Sequence, residues 1–86
     1  MTPNQEIAAS AQAAGQKAHG EGDLVTAEKL YRRALAFCET ADPAVYGNYG
    51  ALLRELQRPK EAAAVYRRGL QKYPSEILLL RNFANL

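Results

Sequence analysis

Two nearly identical segments, YRRAL at 31–35 and YRRGL at 66–70, stand 35 positions apart in a chain of 86 residues. Four of the five residues agree, and the fifth exchanges Ala for Gly. A chain this short makes one small domain at most, so the duplication predicts two copies of one supersecondary unit rather than two separate domains. Such units bury their apolar faces by stacking on one another.

The first half of the chain has the pattern of two helices joined by a turn. The segment Thr2-Pro3-Asn4-Gln5 predicts a helix that starts with a capping box and runs to about His19. Two glycines in the following segment, 19–23, predict a turn, and Asp23 can cap the next helix. Apolar residues at helical spacing carry that second helix to about Glu39.

The second half repeats this arrangement and adds one more helix. Asp42-Pro43 predicts the start of a third helix, which should end near Leu56, and Pro59 opens a fourth. Ser75 should cap a fifth helix that runs from Glu76 to the C-terminus. Ala is abundant while Val, Ile and Phe are few, and no segment alternates as a strand would. The sequence therefore predicts an all-α fold.

The 35-residue shift also pairs residues of similar size outside the two segments. Three pairs stand out, namely Gly15 with Gly50, Ala27 with Ala62, and Tyr31 with Tyr66. The small residues would let the two helices of a pair approach closely, and the tyrosines would fill the wedge between one pair and the next.

These residues resemble the tetratricopeptide repeat family, whose pattern W-x2-L-G-x2-Y…A-x3-F…P recurs about every 34 residues. The second copy matches it at Tyr46, Tyr49-Gly50, Leu53, Ala62, Tyr66, Gly69 and Pro74. The first copy matches at Ala11, Ala14-Gly15, Ala18, Gly22, Ala27, Tyr31 and Ala34, and a third begins at Leu80 and Phe83-Ala84. The resemblance implies a right-handed superhelical stack of antiparallel helix pairs. It predicts a single domain over 1–86, with repeats at about 4–40 and 43–74 and a terminal helix at about 76–86.

Three departures from the family pattern carry expectations of their own. The alanines of the first copy stand where the family prefers bulk, so the first helix should pack thinly. An extra residue, with no matching Pro, precedes Asp42-Pro43 and suggests a longer second helix. Gln57 replaces the turn glycine that Gly22 supplies in the first copy.

The resemblance further implies an extended concave groove lined by the first helix of each pair. Asn48 and Asn82, 34 positions apart, would pair with the backbone of an extended peptide, because an amide both donates and accepts hydrogen bonds. An alternative is that both asparagines satisfy only local backbone or water. The other predicted groove contacts are Arg54 and Arg81, for acidic groups, and Gln12 and Gln16, for polar groups. The cations that some relatives use to clamp a C-terminal carboxylate are missing, so binding of chaperone tails is not expected.

The final helix is apolar around much of its circumference. A second hypothesis is therefore that copies of the chain associate through this helix, and the residues expected to do so are Ile77, Leu79, Leu80, Phe83 and Leu86. The alternative is that these residues simply pack on the fourth helix. For groove binding and for self-association alike, the expected partner is a protein. A third possibility is that the chain is an N-terminal scaffold segment of a larger enzyme.

Catalysis, cofactors, nucleic acid and membranes are not expected from this sequence. The single His19 and the single Cys38 have no partners at metal-ligand or catalytic spacing, and no phosphate-binding loop occurs. The net charge of +2 is small, and Arg32-Arg33 and Arg67-Arg68 read as solvated helix faces among Glu and Lys. The run ILLL at 77–80 is too short to span a bilayer. One cysteine and no secretion signal favour a cytoplasmic setting.

Overall fold

The computed structural model describes residues 2–40 and 42–86, and those residues form five α-helices and no strand. The helices are α1 (Pro3–Gly20), α2 (Leu24–Phe37), α3 (Ala44–Glu55), α4 (Pro59–Lys72) and α5 (Ile77–Ala84). The all-α fold class predicted from the sequence is thereby confirmed. The chain divides into two compact units, Met1–Val45 and Tyr46–Leu86. The assignment of 1–86 to a single domain stays a prediction.

Three of the predicted helix starts are capped as the sequence indicated. The Thr2 hydroxyl accepts a hydrogen bond from the Gln5 backbone N–H at 3.2 Å, and the Gln5 side chain accepts one from the Thr2 N–H at 2.8 Å. Asp23 accepts from the Thr26 N–H at 3.2 Å, and Asp42 accepts from the Ala44 N–H at 2.9 Å. Each cap satisfies a backbone N–H that the first helical turn leaves without a partner.

Two expectations about helix ends are wrong. Helix α2 stops at Phe37 because Cys38 is already extended, with φ −158° and ψ 111°. Helices α2 and α4 each have 14 residues, so the extra residue lengthens the connection and not the helix. At α5 the N-cap residue is Glu76, and no side chain caps it, so the cap predicted for Ser75 does not form.

The first unit is held together by contact between α1 and α2. Tyr31 of α2 is fully buried, and its ring lies directly on Gly15 of α1. A β-carbon added at Gly15 would be 2.9 Å from two carbons of that ring, which is too close for any side chain. Small residues supply most of the remaining core of this unit, namely Ala8, Ala11, Ala18, Ala27, Ala34 and Leu35. Ala14, one of the alanines expected on the inner side, is exposed.

The second unit repeats the same contact with larger neighbours. Tyr66 of α4 is fully buried, and a β-carbon at Gly50 of α3 would overlap its ring. Gly69 of α4 admits the Tyr46 side chain from α3, since an added β-carbon there would be 2.7 Å from Tyr46 Cβ. The same added atom would lie 3.0 Å from Leu79 of α5, so Gly69 is the point where all three helices of this unit meet.

The turn between α3 and α4 places Gln57 in the left-handed region, with φ 61°. Gly22 has φ 82° at the equivalent place between α1 and α2. The turn geometry is thus kept although the glycine is not, and Gln57 bears a conformational cost that a glycine would avoid.

We expect Gly50→Ala to lower the free energy of unfolding by roughly 1–3 kcal/mol, because the new methyl group overlaps the Tyr66 ring in a packed core. Gly20→Ala is the matched control, since Gly20 lies in a helix with nothing within 4 Å of an added β-carbon. Urea denaturation monitored by circular dichroism measures the free energy of unfolding of both variants. Equal stability of the two variants would contradict the close contact at Gly50.

Candidate functional site

The predicted groove residues of the first unit differ in how accessible they are. Gln16 is exposed on α1. Gln12, one turn earlier, is only 6% exposed, and its amide donates a hydrogen bond to the Asp42 carboxylate at 3.3 Å. This bond ties α1 to the residue that caps α3. Gln12 therefore serves the interior of its own unit, and its predicted contact with a partner would require that bond to open.

The predicted groove residues of the second unit lie on α3 and α5. Asn48 on α3 and Asn82 on α5 are both half-buried, whereas Arg54 and Arg81 are exposed. Asn82 reaches the α3 backbone beside Asn48, because a β-carbon added at Gly47 would lie 3.8 Å from the Asn82 side-chain nitrogen. The missing side chain at Gly47 thus leaves the Asn82 amide uncovered next to α3.

A tyrosine hydroxyl lies beneath the first helix of each unit. In the first unit the Tyr31 hydroxyl is 3.3 Å from His19 Nδ1, and the two rings meet edge to face. In the second unit the Tyr66 hydroxyl is buried and has no hydrogen-bond partner among the described residues. Burial raises the pKa of the Tyr66 phenol, and the Arg54 guanidinium offsets part of that rise. Arg54 therefore lies near this hydroxyl.

Sequence reasoning did not find these two hydroxyl sites, although the 35-residue shift contains the signal. The shift that pairs Tyr31 with Tyr66 also pairs His19 with Arg54. His19 is one helical turn beyond Gly15, and Arg54 is one turn beyond Gly50. In each unit the tyrosine ring crosses its glycine, and the polar residue one turn further along the first helix acts on the hydroxyl.

The apolar residues of α5 separate into a buried and an exposed set. Leu79 is 1% exposed and packs on Gly69, so it is not available to a second copy of the chain, contrary to expectation. Phe83 is half-buried with the Arg67 guanidinium over its ring at 5.5 Å. The exposed set consists of Ile77, Leu78, Leu80 and Leu86.

Three of the paired arginines have ordinary partners on their own helix or on the next one. Arg32 forms an ion pair with Glu28 at 2.9 Å, and the Arg33 guanidinium lies 4.8 Å from the centre of the Phe37 ring. Arg67 lies over Phe83. Contacts of this kind suit exposed helix faces, as the sequence predicted for them.

In the part of the chain that the structure describes, no three His, Cys, Asp or Glu residues are grouped so that they could hold a metal ion. No described helix is both long and apolar enough to cross a membrane.

Helical hairpins in which a second-helix tyrosine crosses a first-helix glycine, followed by one further helix, define an α-helical repeat protein. The family model described as tetratricopeptide repeat matches residues 43–86, just over half of the chain. The chain therefore belongs to the tetratricopeptide repeat family. No curated protein and no solved structure matches the chain. Membership assigns the chain to a class of protein–protein interaction modules.

We expect Leu79→Ala to lower the free energy of unfolding by about 2–5 kcal/mol, because it opens a cavity beside Gly69. Leu80→Ala is the control on the same helix, and it should change stability by less than about 0.5 kcal/mol since Leu80 is exposed. Chemical denaturation monitored by tyrosine fluorescence separates the two. A larger effect at Leu80 would mean that the buried side of α5 has been misassigned.

Proposed function

We propose that the chain binds an extended peptide segment of a partner protein across the exposed faces of α3 and α5 in its second unit. The observation that carries the proposal is the position of Asn82, whose half-buried amide lies against Gly47 and beside Asn48. An extended peptide presents backbone N–H and C=O groups at regular spacing, and a primary amide can accept from the first and donate to the second. Gly47 leaves space for that backbone to approach.

Arg54 and Arg81 would bind acidic groups of the same segment. Both arginines are exposed on helices that also carry one of the asparagines. Charged contacts at the margin of such a surface contribute to the association rate and to the choice of partner. The proposed role is non-catalytic and requires no cofactor, and we place the chain in the cytoplasm.

The proposal is tested with peptides selected from a random display library against the intact chain. We expect Asn48→Ala and Asn82→Ala each to weaken binding of a selected peptide by about threefold to tenfold, since each removes one backbone hydrogen bond. Asn4→Ala is the matched control, because Asn4 is exposed in the first turn of α1. Fluorescence anisotropy measures the affinities. A selected peptide that binds both asparagine variants as tightly as the original chain would refute this site.

A second candidate function is self-association through α5, and it is favoured by the exposure of apolar residues on that helix. Ile77 is 67% exposed and Leu80 is 48% exposed, and their spacing of three places them on one side of the helix. A surface of this kind loses contact with water when a second copy covers it. The structural role and the peptide-binding role use different residues, so they can be separated by substitution.

For this second function we expect a sedimentation coefficient that rises with protein concentration. Ile77→Glu and Leu80→Glu should abolish the rise, because a buried carboxylate without a partner opposes association. Val25→Glu is the control, since Val25 is similarly exposed at 65% but lies on α2. A chain that sediments as a monomer at every concentration would exclude this role.

A further inference from the structure

The Tyr66 hydroxyl is the one buried side-chain polar atom without a partner that the described residues contain. Its side chain is fully buried, and a hydroxyl left unpaired in a protein interior is costly. Such an atom calls for an explanation, and its surroundings offer one. The ring lies on Gly50, and Arg54, one turn further along α3, is close enough to act on this hydroxyl.

The first unit shows the same arrangement with the hydroxyl paired. There the ring of Tyr31 lies on Gly15, and its hydroxyl is 3.3 Å from the His19 ring nitrogen, one turn further along α1. His19 is half-buried and short, so it stays within reach of the hydroxyl. Arg54 is longer and exposed, so its guanidinium can lie close to the hydroxyl or extend into solvent.

We propose that the Tyr66 hydroxyl is a positioning group that holds the Arg54 guanidinium on the exposed face of α3, where Arg54 binds a carboxylate of the partner's segment. This inference rests on the proposed function and specifies its ligand chemistry as an acidic side chain. A guanidinium has five N–H donors, so one of them can bond to the hydroxyl while two others bond to both oxygens of a carboxylate.

Binding and positioning support each other in this arrangement. A bound segment excludes water from Arg54, which strengthens its bonds to both the carboxylate and the hydroxyl. The hydroxyl acquires the partner it lacks, and Arg54 loses the freedom to extend into solvent. Lys at position 54 would keep the charge but lack the planar fork that serves both partners.

The probe is a labelled peptide of alternating Glu and Ala residues, with a twin that carries Gln for every Glu. We expect the intact chain to bind the Glu peptide more tightly than the Gln peptide. Tyr66→Phe, which keeps the ring, should weaken binding of the Glu peptide by about threefold to tenfold and leave the Gln peptide unchanged. Tyr31→Phe is the matched control in the first unit and should leave both affinities unchanged.

A double-mutant cycle separates positioning from general damage to the fold. If Tyr66 acts through Arg54, adding Tyr66→Phe to the Arg54→Gln variant should not weaken binding of the Glu peptide any further. Thermal unfolding of each variant checks that the fold is kept, and Tyr66→Phe should be no less stable than the original chain because it removes an unpaired hydroxyl.

Three results would overturn the inference. The first is an intact chain that binds the Glu and Gln peptides equally tightly, or that binds neither peptide. The second is a Tyr66→Phe variant that binds the Glu peptide as tightly as the original chain does. The third is additivity of the two substitutions in the cycle. If library-selected peptides still depend on Asn48 and Asn82 in any of these cases, only the role of Tyr66 and Arg54 fails, and the proposed function stands.

Discussion

The contact of a tyrosine ring with the bare backbone of a glycine supports both units of this protein. In each hairpin the second helix can approach the first only because Gly15 or Gly50 has no side chain at the crossing point. Tyr31 and Tyr66 fill the space that results, and both are fully buried. The fit is mutual, since a smaller residue in place of either ring would leave a cavity and a larger one in place of either glycine would separate the helices.

The same contact determines where polar chemistry reaches the surface. In each unit the tyrosine that crosses the glycine has its hydroxyl near the residue one turn further along the first helix. In the first unit that residue is His19, and the hydroxyl is paired. In the second unit it is Arg54, and the hydroxyl is not. A packing arrangement thereby supplies two chemically different positions on two first helices, one with its hydroxyl paired and one with its hydroxyl unpaired.

Helix α5 shows how one short helix can serve both the core and the surface. Leu79 completes the packing at Gly69, and Phe83 is covered in part by Arg67. The remaining leucines and Ile77 face outward. Because the helix has only eight residues and a single neighbouring pair to pack on, it cannot bury all of its apolar side chains.

The local structure could be predicted from the sequence because it depends on neighbours a few residues apart. Caps at Thr2, Asp23 and Asp42 and the helical periodicity act within one or two turns, and they determined the fold class and most helix starts. The sequence also paired Gly50 with Gly15. It did not distinguish Leu79 from Leu80 on α5, and it placed Gln12 in the groove.

Tertiary structure alone decided which side of each helix is covered. Leu79 and Leu80 are equally apolar, and only the gap above Gly69 selects Leu79 for burial. Gln12 is buried because Asp42, 30 residues later, brings a carboxylate to its amide. The lack of a hydrogen-bond partner for the Tyr66 hydroxyl is likewise a property of the packed unit. These outcomes depend on contacts between distant segments, whose geometry is fixed only when the helices pack.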